Sequence, residues 1–200
     1  MRQRRSWLWK LAGIAVAAAV FAVWYVHLHP LVFNESFWEH AHCMPQAGLA
    51  FRTYALDHDG QFPYNTNGYG DALLLMTNEM GGFWGGLTGP GYDSGVFAEA
   101  ARTGRHIPEQ ACGRVYVQGL RDTSNPEIAL FFDKVAAPPD HCNFPRRLWA
   151  RFARDVSFVD GHWETIPVER WPAFVQRQVD LLVAAGFSRA QAQQLYGQAR

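Results

Sequence analysis

Hydrophobic and polar positions alternate on both sides of Asp160 and Gly161, near the end of the chain. This alternation has the period of a half-buried strand, and Asp-Gly between two such runs indicates a tight turn. The sequence therefore predicts a β-hairpin over residues 155–165. Phe158 is expected to face inward, and His162 to begin the return strand.

Two more strands are predicted earlier in the chain, over residues 114–119 and 127–133. The short connections between the strands favour antiparallel pairing. Ahead of them, apolar residues at helical spacing predict a helix from Pro45 to about Leu56, which Gly60 ends. The predicted fold class is α+β, with a helix packed on a small antiparallel sheet.

The last part of the chain has a helical pattern again. Pro172 suits the first turn of one helix, and Ser188 with Gln191 forms a capping box for a second. The sequence therefore predicts a C-terminal helical pair, a separate extension over residues 167–200.

The N-terminus has the pattern of a membrane anchor. An apolar run from Trp7 to about Val26 is interrupted only by Lys10, and about 20 apolar residues span a bilayer. Basic residues within 1–6 place that end in the cytoplasm by the positive-inside rule. We expect a single transmembrane helix over residues 7–29 in a bacterial inner membrane, with residues 30–166 as an exported α+β domain. A cleaved signal peptide is the alternative.

Composition adds two limits. The chain has 200 residues, of which 48% are hydrophobic, enough for one domain with a core and one membrane segment. Lys and Arg number 18, as do Asp and Glu, so the formal net charge is zero. A neutral chain has no overall positive potential that would attract nucleic acid, so no nucleic-acid partner is expected. The expected partners are the membrane, other envelope proteins or a second copy of the chain.

Export changes the interpretation of the three cysteines. In an oxidising compartment we expect one disulfide and one remaining thiol. Cys112 and Cys142 flank strands expected to be neighbours, which favours a Cys112–Cys142 disulfide. Pairing through Cys43 is the alternative.

Two motifs resemble those of a known family. Residues 43–63 carry a Cys, an amphipathic helix, then Asp59-Gly60 and Phe62-Pro63, and a Phe-x-Asp-Gly-His hairpin follows at 158–162. In this order they resemble a family of bacterial pseudopilin-like envelope proteins. The resemblance covers about residues 43–166. It implies a pilin-like fold, in which a helix packs on an antiparallel sheet, and a role as a structural subunit.

The chain departs from that family in two ways. It has neither a Gly-Phe-type processing site nor a Glu just inside the apolar helix, and Ala150 stands where the family has a His. These departures predict a permanently anchored relative of the family rather than a processed filament subunit.

Several residues could carry chemistry. Asp57 and Asp59 offer carboxylates beside the turn at Gly60, which predicts either a calcium site or ordinary turn chemistry. Possible zinc ligands occur in three places, none with a known motif spacing: His40, His42 and Cys43; His141 and Cys142; Asp160 and His162. Cys43 as a nucleophile has no local signature.

No catalytic motif is present in the sequence, so we predict a membrane-anchored, non-enzymatic structural or interaction protein of the cell envelope. The aromatic residues Trp84 and Trp171 are its candidate interaction residues. The alternative is an anchored domain that binds calcium or a small ligand between the turn at residues 57–60 and the Gly-rich stretch at 81–95.

Overall fold

The computed structural model describes residues 2–23, 43–77, 85–89, 92, 95–137 and 152–199. The chain forms two compact units, Met1–Trp38 and Glu39–Arg200. Within the described residues, the first unit contains helix α1 (Arg2–Val23).

The second unit is an α+β fold. Its helices are α2 (Cys43–Asp57), α3 (Tyr69–Leu74), α4 (Gly85–Thr88), α5 (Gly95–Thr103), α6 (Trp171–Ala184) and α7 (Arg189–Gly197). Short 3-10 turns occupy Leu75–Thr77, Glu109–Ala111 and Val168–Arg170. Its strands are β1 (Arg114–Tyr116), β2 (Ala129–Asp133), β3 (Ala153–Phe158) and β4 (Trp163–Pro167).

The four strands form one antiparallel sheet in the order β1-β2-β3-β4. Each strand therefore pairs with its neighbour in the sequence, as predicted, although 19 residues separate β2 from β3. The β2–β3 pairing carries an irregularity between Ala129 and Phe131.

Strand β2 is buried along its whole length because helices cover both faces of the sheet. Successive strand residues point to opposite faces. Phe131 contacts Phe51 of α2 edge-on, with ring centroids 5.3 Å apart. Its neighbour Phe132 stacks on Tyr196 of α7 at 4.8 Å and also contacts Trp171 of α6. The unit thus has three layers, with α2 on one face and α6 and α7 on the other.

Residues 167–200 were predicted to form a separate helical extension, but they form part of the domain. The C-terminal helices are part of the same compact unit as the sheet, and they bury Trp171, Val179, Leu182 and Tyr196. They supply one of the three layers rather than an added extension. The capping box at the start of α7 is confirmed, since Gln191 N donates to Ser188 Oγ and Ser188 N donates to Gln191 Oε1.

The predicted transmembrane helix is wrong. No helix in the described part of the chain is both long enough and apolar enough to cross a bilayer. Within α1, Lys10 is the last charged residue, and the charge-free stretch that follows, residues 11–23, rises only about 20 Å at ~1.5 Å per residue. A hydrocarbon core is about 30 Å thick. Residues 24–29 of the predicted span lie outside the described residues.

The predicted Cys112–Cys142 disulfide is also wrong. Cys112 is a free, buried thiol at the end of the 3-10 turn before β1, and its Sγ lies 3.9 Å from the Pro108 carbonyl oxygen. Burial raises the pKa of this thiol to about 12, so it stays protonated at neutral pH. Cys142 lies outside the described residues, as does the Cys43 side chain, and the described residues contain no disulfide.

Asp133 connects three strands through one buried carboxylate. Its Oδ1 accepts a hydrogen bond from Arg114 Nε of β1 at 2.7 Å, and its Oδ2 accepts from the Asp155 N–H of β3 at 3.1 Å. The Arg114 and Asp133 side chains are only 1% and 4% exposed. The Arg114 guanidinium also lies 5.3 Å from the centre of the Phe131 ring. The charges are thus paired as buried charges must be.

We predict that Asp133→Ala lowers the free energy of unfolding by about 3–5 kcal/mol, because it removes the buried carboxylate that pairs with the Arg114 guanidinium. Removing both charges in Arg114→Met/Asp133→Leu should cost less than the single change. Urea denaturation of the wild type and the two variants measures this. A double variant at least as unstable as the single one would contradict the prediction.

Candidate functional site

The turn between β3 and β4 lies where the sequence placed it. Gly161 N donates to Phe158 O, and Phe158 N donates to His162 O, both at 2.9 Å. These bonds enclose a three-residue loop whose last residue, Gly161, has φ +87°. Hairpins with three-residue loops commonly have a left-handed residue in this position, which favours glycine.

Asp160 and His162 stabilise the loop locally. The Asp160 carboxylate accepts a hydrogen bond from His162 N at 3.0 Å and lies 2.5 Å from His162 Nδ1. The imidazole also stacks on Phe158, with ring centroids 4.1 Å apart. Burial opposes ionisation of Asp160, but the bonds from His162 and the charges of His162 and Arg52 lower its pKa. The pair therefore holds the turn closed.

Helix α2 holds the same turn from outside the hairpin. Arg52 Nη1 donates to the Asp160 carbonyl oxygen. One turn earlier, Gly48 lies so close to the sheet that a Cβ there would be 2.7 Å from Ser157 Oγ and 3.1 Å from Gly161 O. Ser157 Oγ is buried and has no hydrogen-bond partner in the described structure. Glycine at position 48 thus permits close contact between α2 and the hairpin.

The outward side of α2 has a different character. Met44, Ala47, Ala50, Phe51 and Ala55 are buried in the core. Leu49 and Leu56 are 68% and 78% exposed. Their spacing of seven residues places them on the same side of the helix. We call Leu49 and Leu56 the outer leucine pair.

The predicted calcium ligands lie at the end of α2. Asp57 is the last residue of that helix, and Asp59 has φ 52° beside Gly60 at φ 77°. The Asp59 carbonyl accepts from Arg121 Nη2 at 3.3 Å, and Gly60 O accepts from Asp122 N at 2.9 Å. This is the chemistry of a turn joined to a neighbouring loop.

No group of three or more His, Cys, Asp or Glu side chains in the described residues is arranged to hold a metal ion. Calcium binding stays a prediction without support from this geometry. Of the possible zinc ligands, His40, His42, His141 and Cys142 lie outside the described residues.

Of the two candidate interaction residues, Trp171 is buried and Trp84 lies outside the described residues. Trp171 is only 7% exposed, and it packs between Phe132, Phe174 and the Arg154 guanidinium, which lies 4.6 Å from its ring centre. It is a core residue and has almost no surface to offer a partner. Trp84 lies outside the described residues, as does most of the Gly-rich stretch.

Sequence reasoning missed a cleft of about 230 Å³ beside α7. Its polar lining comes from Tyr69, Glu109, Gln118, Gln191, Gln194 and Gln198. The only signal in the sequence is the abundance of glutamine after Arg189. Tyr69 and Glu109 come from segments far away in the chain, and no sequence pattern pointed to them.

Hydrogen bonds organise the floor of this cleft. Tyr69 Oη donates to Gln198 Oε1 at 2.8 Å, and Tyr69 N donates to Glu109 Oε1 at 3.4 Å. Gln198 Nε2 lies 3.5 Å from Glu109 Oε2. Burial raises the pKa of Tyr69 well above its ordinary value, so its hydroxyl remains a hydrogen-bond donor.

The comparisons with known proteins give no relative. No family model matches the chain. Neither a curated protein nor a solved structure matches it.

We predict that Gly161→Ala lowers the free energy of unfolding by about 1–2 kcal/mol, because an L-residue is strained at positive φ. The added Cβ would also displace the Arg52 side chain. Gly197→Ala, where a Cβ meets nothing within 4 Å, is the matched control and should be neutral or stabilising. Thermal denaturation of both variants measures the difference. Equal melting temperatures would show that the turn does not require glycine.

Proposed function

We propose that the protein is a non-enzymatic, pilin-like structural protein that associates with a second copy of itself through the outer face of α2. The observation that carries this proposal is the outer leucine pair. Two large apolar side chains at heptad spacing form a stripe that a second helix can cover.

The choice of a second copy rests on symmetry and charge. A twofold dimer brings the same patch of both subunits together, so two copies of the leucine pair can cover each other. The formal net charge is zero, and copies therefore do not repel each other as strongly charged proteins do. The resemblance to pseudopilin-like proteins supports the same role.

The polar groups near the hairpin support a role without catalysis. His162 is the residue there whose side chain could act as a general base, with its Nδ1 against Asp160 and its ring stacked on Phe158. No Ser, Thr or Cys side chain among the described residues hydrogen-bonds to it, as an activated nucleophile would. Structural roles account for the contacts of Asp160, Gly161 and His162.

We predict that the full chain associates reversibly and that Leu49→Gln/Leu56→Gln weakens association at least tenfold. Burying one leucine contributes about 1.5–3 kcal/mol, and each 1.4 kcal/mol is about tenfold in affinity. Sedimentation velocity over a concentration series measures the effect.

The control is Val183→Gln on α6, which removes an exposed apolar side chain from the layer on the opposite face of the sheet. It should associate like the wild type. A wild type that stays monomeric at every concentration, or a double variant that associates as strongly as the wild type, would disprove the proposed interface.

A further inference from the structure

The cleft beside α7 has the lining of a site for a neutral, hydroxyl-rich ligand. Among the described residues that line it, Glu109 is the only acid and none is a lysine or arginine. An anionic ligand would meet no cationic side chain in this lining and would face a carboxylate, since Lys134 lies behind it and donates to the Glu109 carbonyl oxygen. The remaining polar groups are the amides of four glutamines and the hydroxyls of two tyrosines.

Part of this hydrogen-bonding capacity is unused within the described residues. The side-chain Oε1 of Gln118 accepts from Asn65 N at 2.8 Å, and its side-chain Nε2 is left for a ligand. The Gln194 side chain is exposed and makes no hydrogen bond to another described residue. An amide offers both donors and an acceptor, which matches a hydroxyl that can do both.

The cleft also has apolar surface. Phe187 and Leu195 line it together with the Tyr69 ring. A sugar ring has C–H groups on its faces and hydroxyls at its edges, so it can lie against an aromatic ring while its hydroxyls meet the amides. The volume of about 230 Å³ is below the roughly 300–1,000 Å³ of drug-sized sites, so it suits one ring rather than several.

We propose that this cleft binds one sugar ring of a neutral saccharide, with Phe187 against the ring and Gln118 and Gln194 on its hydroxyls. Binding without cleavage is expected, because glycoside hydrolysis generally requires two carboxylates across the bond, and Glu109 is alone among the described lining residues. The cleft is separate from the outer leucine pair, so this proposal is independent of self-association.

The test is saturation-transfer NMR and calorimetric titration of the full chain with glucose, galactose, mannose and N-acetylglucosamine. At least one should bind. Gln194→Ala should weaken it about three- to tenfold, the usual effect of losing one hydrogen bond. Gln193→Ala is the matched control, since Gln193 is exposed on the same helix but does not line the cleft, and it should bind like the wild type.

Triglycine serves as the competing probe, because a peptide backbone also pairs with amides. Failure of every saccharide to bind would overturn the proposal, as would binding of triglycine alone. Saccharide binding that is equally strong in Gln194→Ala would place the ligand elsewhere and overturn it too.

Discussion

The buried carboxylate of Asp133 is the constraint on which the sheet depends. It binds Arg114 on one side and the Asp155 N–H on the other, and so fixes β1 and β3 relative to β2. A buried ion pair is weak evidence for high stability, because desolvation of both charges offsets much of their attraction. Its contribution is better described as specificity. A one-residue slip of β1 against β2 would separate the Arg114 guanidinium from the Asp133 carboxylate, and a slip of β3 would remove the Asp155 N–H from the same carboxylate.

The register that Asp133 fixes determines what each face of the sheet can pack against. Tyr116 pairs with Phe131 and stacks on Phe51 of α2 at 5.0 Å. Phe132 pairs with Val115 and Val156 and faces α6 and α7. Both layers of helices therefore depend on the same pairing. The hairpin joins this arrangement through Gly48 and Arg52, so the outer leucine pair is held on a helix whose other side is fully packed.

The features that depend on residues close together in the sequence were predicted correctly. The Asp-Gly turn, the capping box at Ser188 and the order of the antiparallel strands each depend on neighbouring residues. Gly60 and Gly161 were identified because few residues tolerate positive φ. The outer leucine pair could have been found from the same helical pattern, since the positions that do not face the core follow directly from it.

The wrong predictions concern the disulfide, the membrane anchor and the exposure of Trp171. Each depended on distances between residues remote in the sequence or on an assumed cellular compartment. The disulfide prediction assumed that Cys112 faces another cysteine, whereas its thiol points to the Pro108 carbonyl. The prediction of a membrane anchor counted the apolar residues on both sides of Lys10 as one continuous span. Trp171 was assigned to the surface because the helical pattern shows only which side of the helix it occupies. Its partners Phe132 and Arg154 lie on strands β2 and β3, and their position could not be inferred from that pattern. The cleft was missed because one side comes from residues 69–118 and the other from residues 187–198, which are remote in the sequence.

Gln178 of α6 completes the hydrogen bonding of strand β2, and this bears on how the domain folds during synthesis. Its amide oxygen accepts from Ala129 N, and its amide nitrogen donates to Glu127 O, each at 2.9 Å, at the irregular end of β2. Buried backbone groups that lack such partners are costly. Domains generally fold as units during synthesis, and Gln178 follows these two backbone groups by about 50 residues. A nascent chain that stops before α6 therefore lacks the partners that complete the first half of β2.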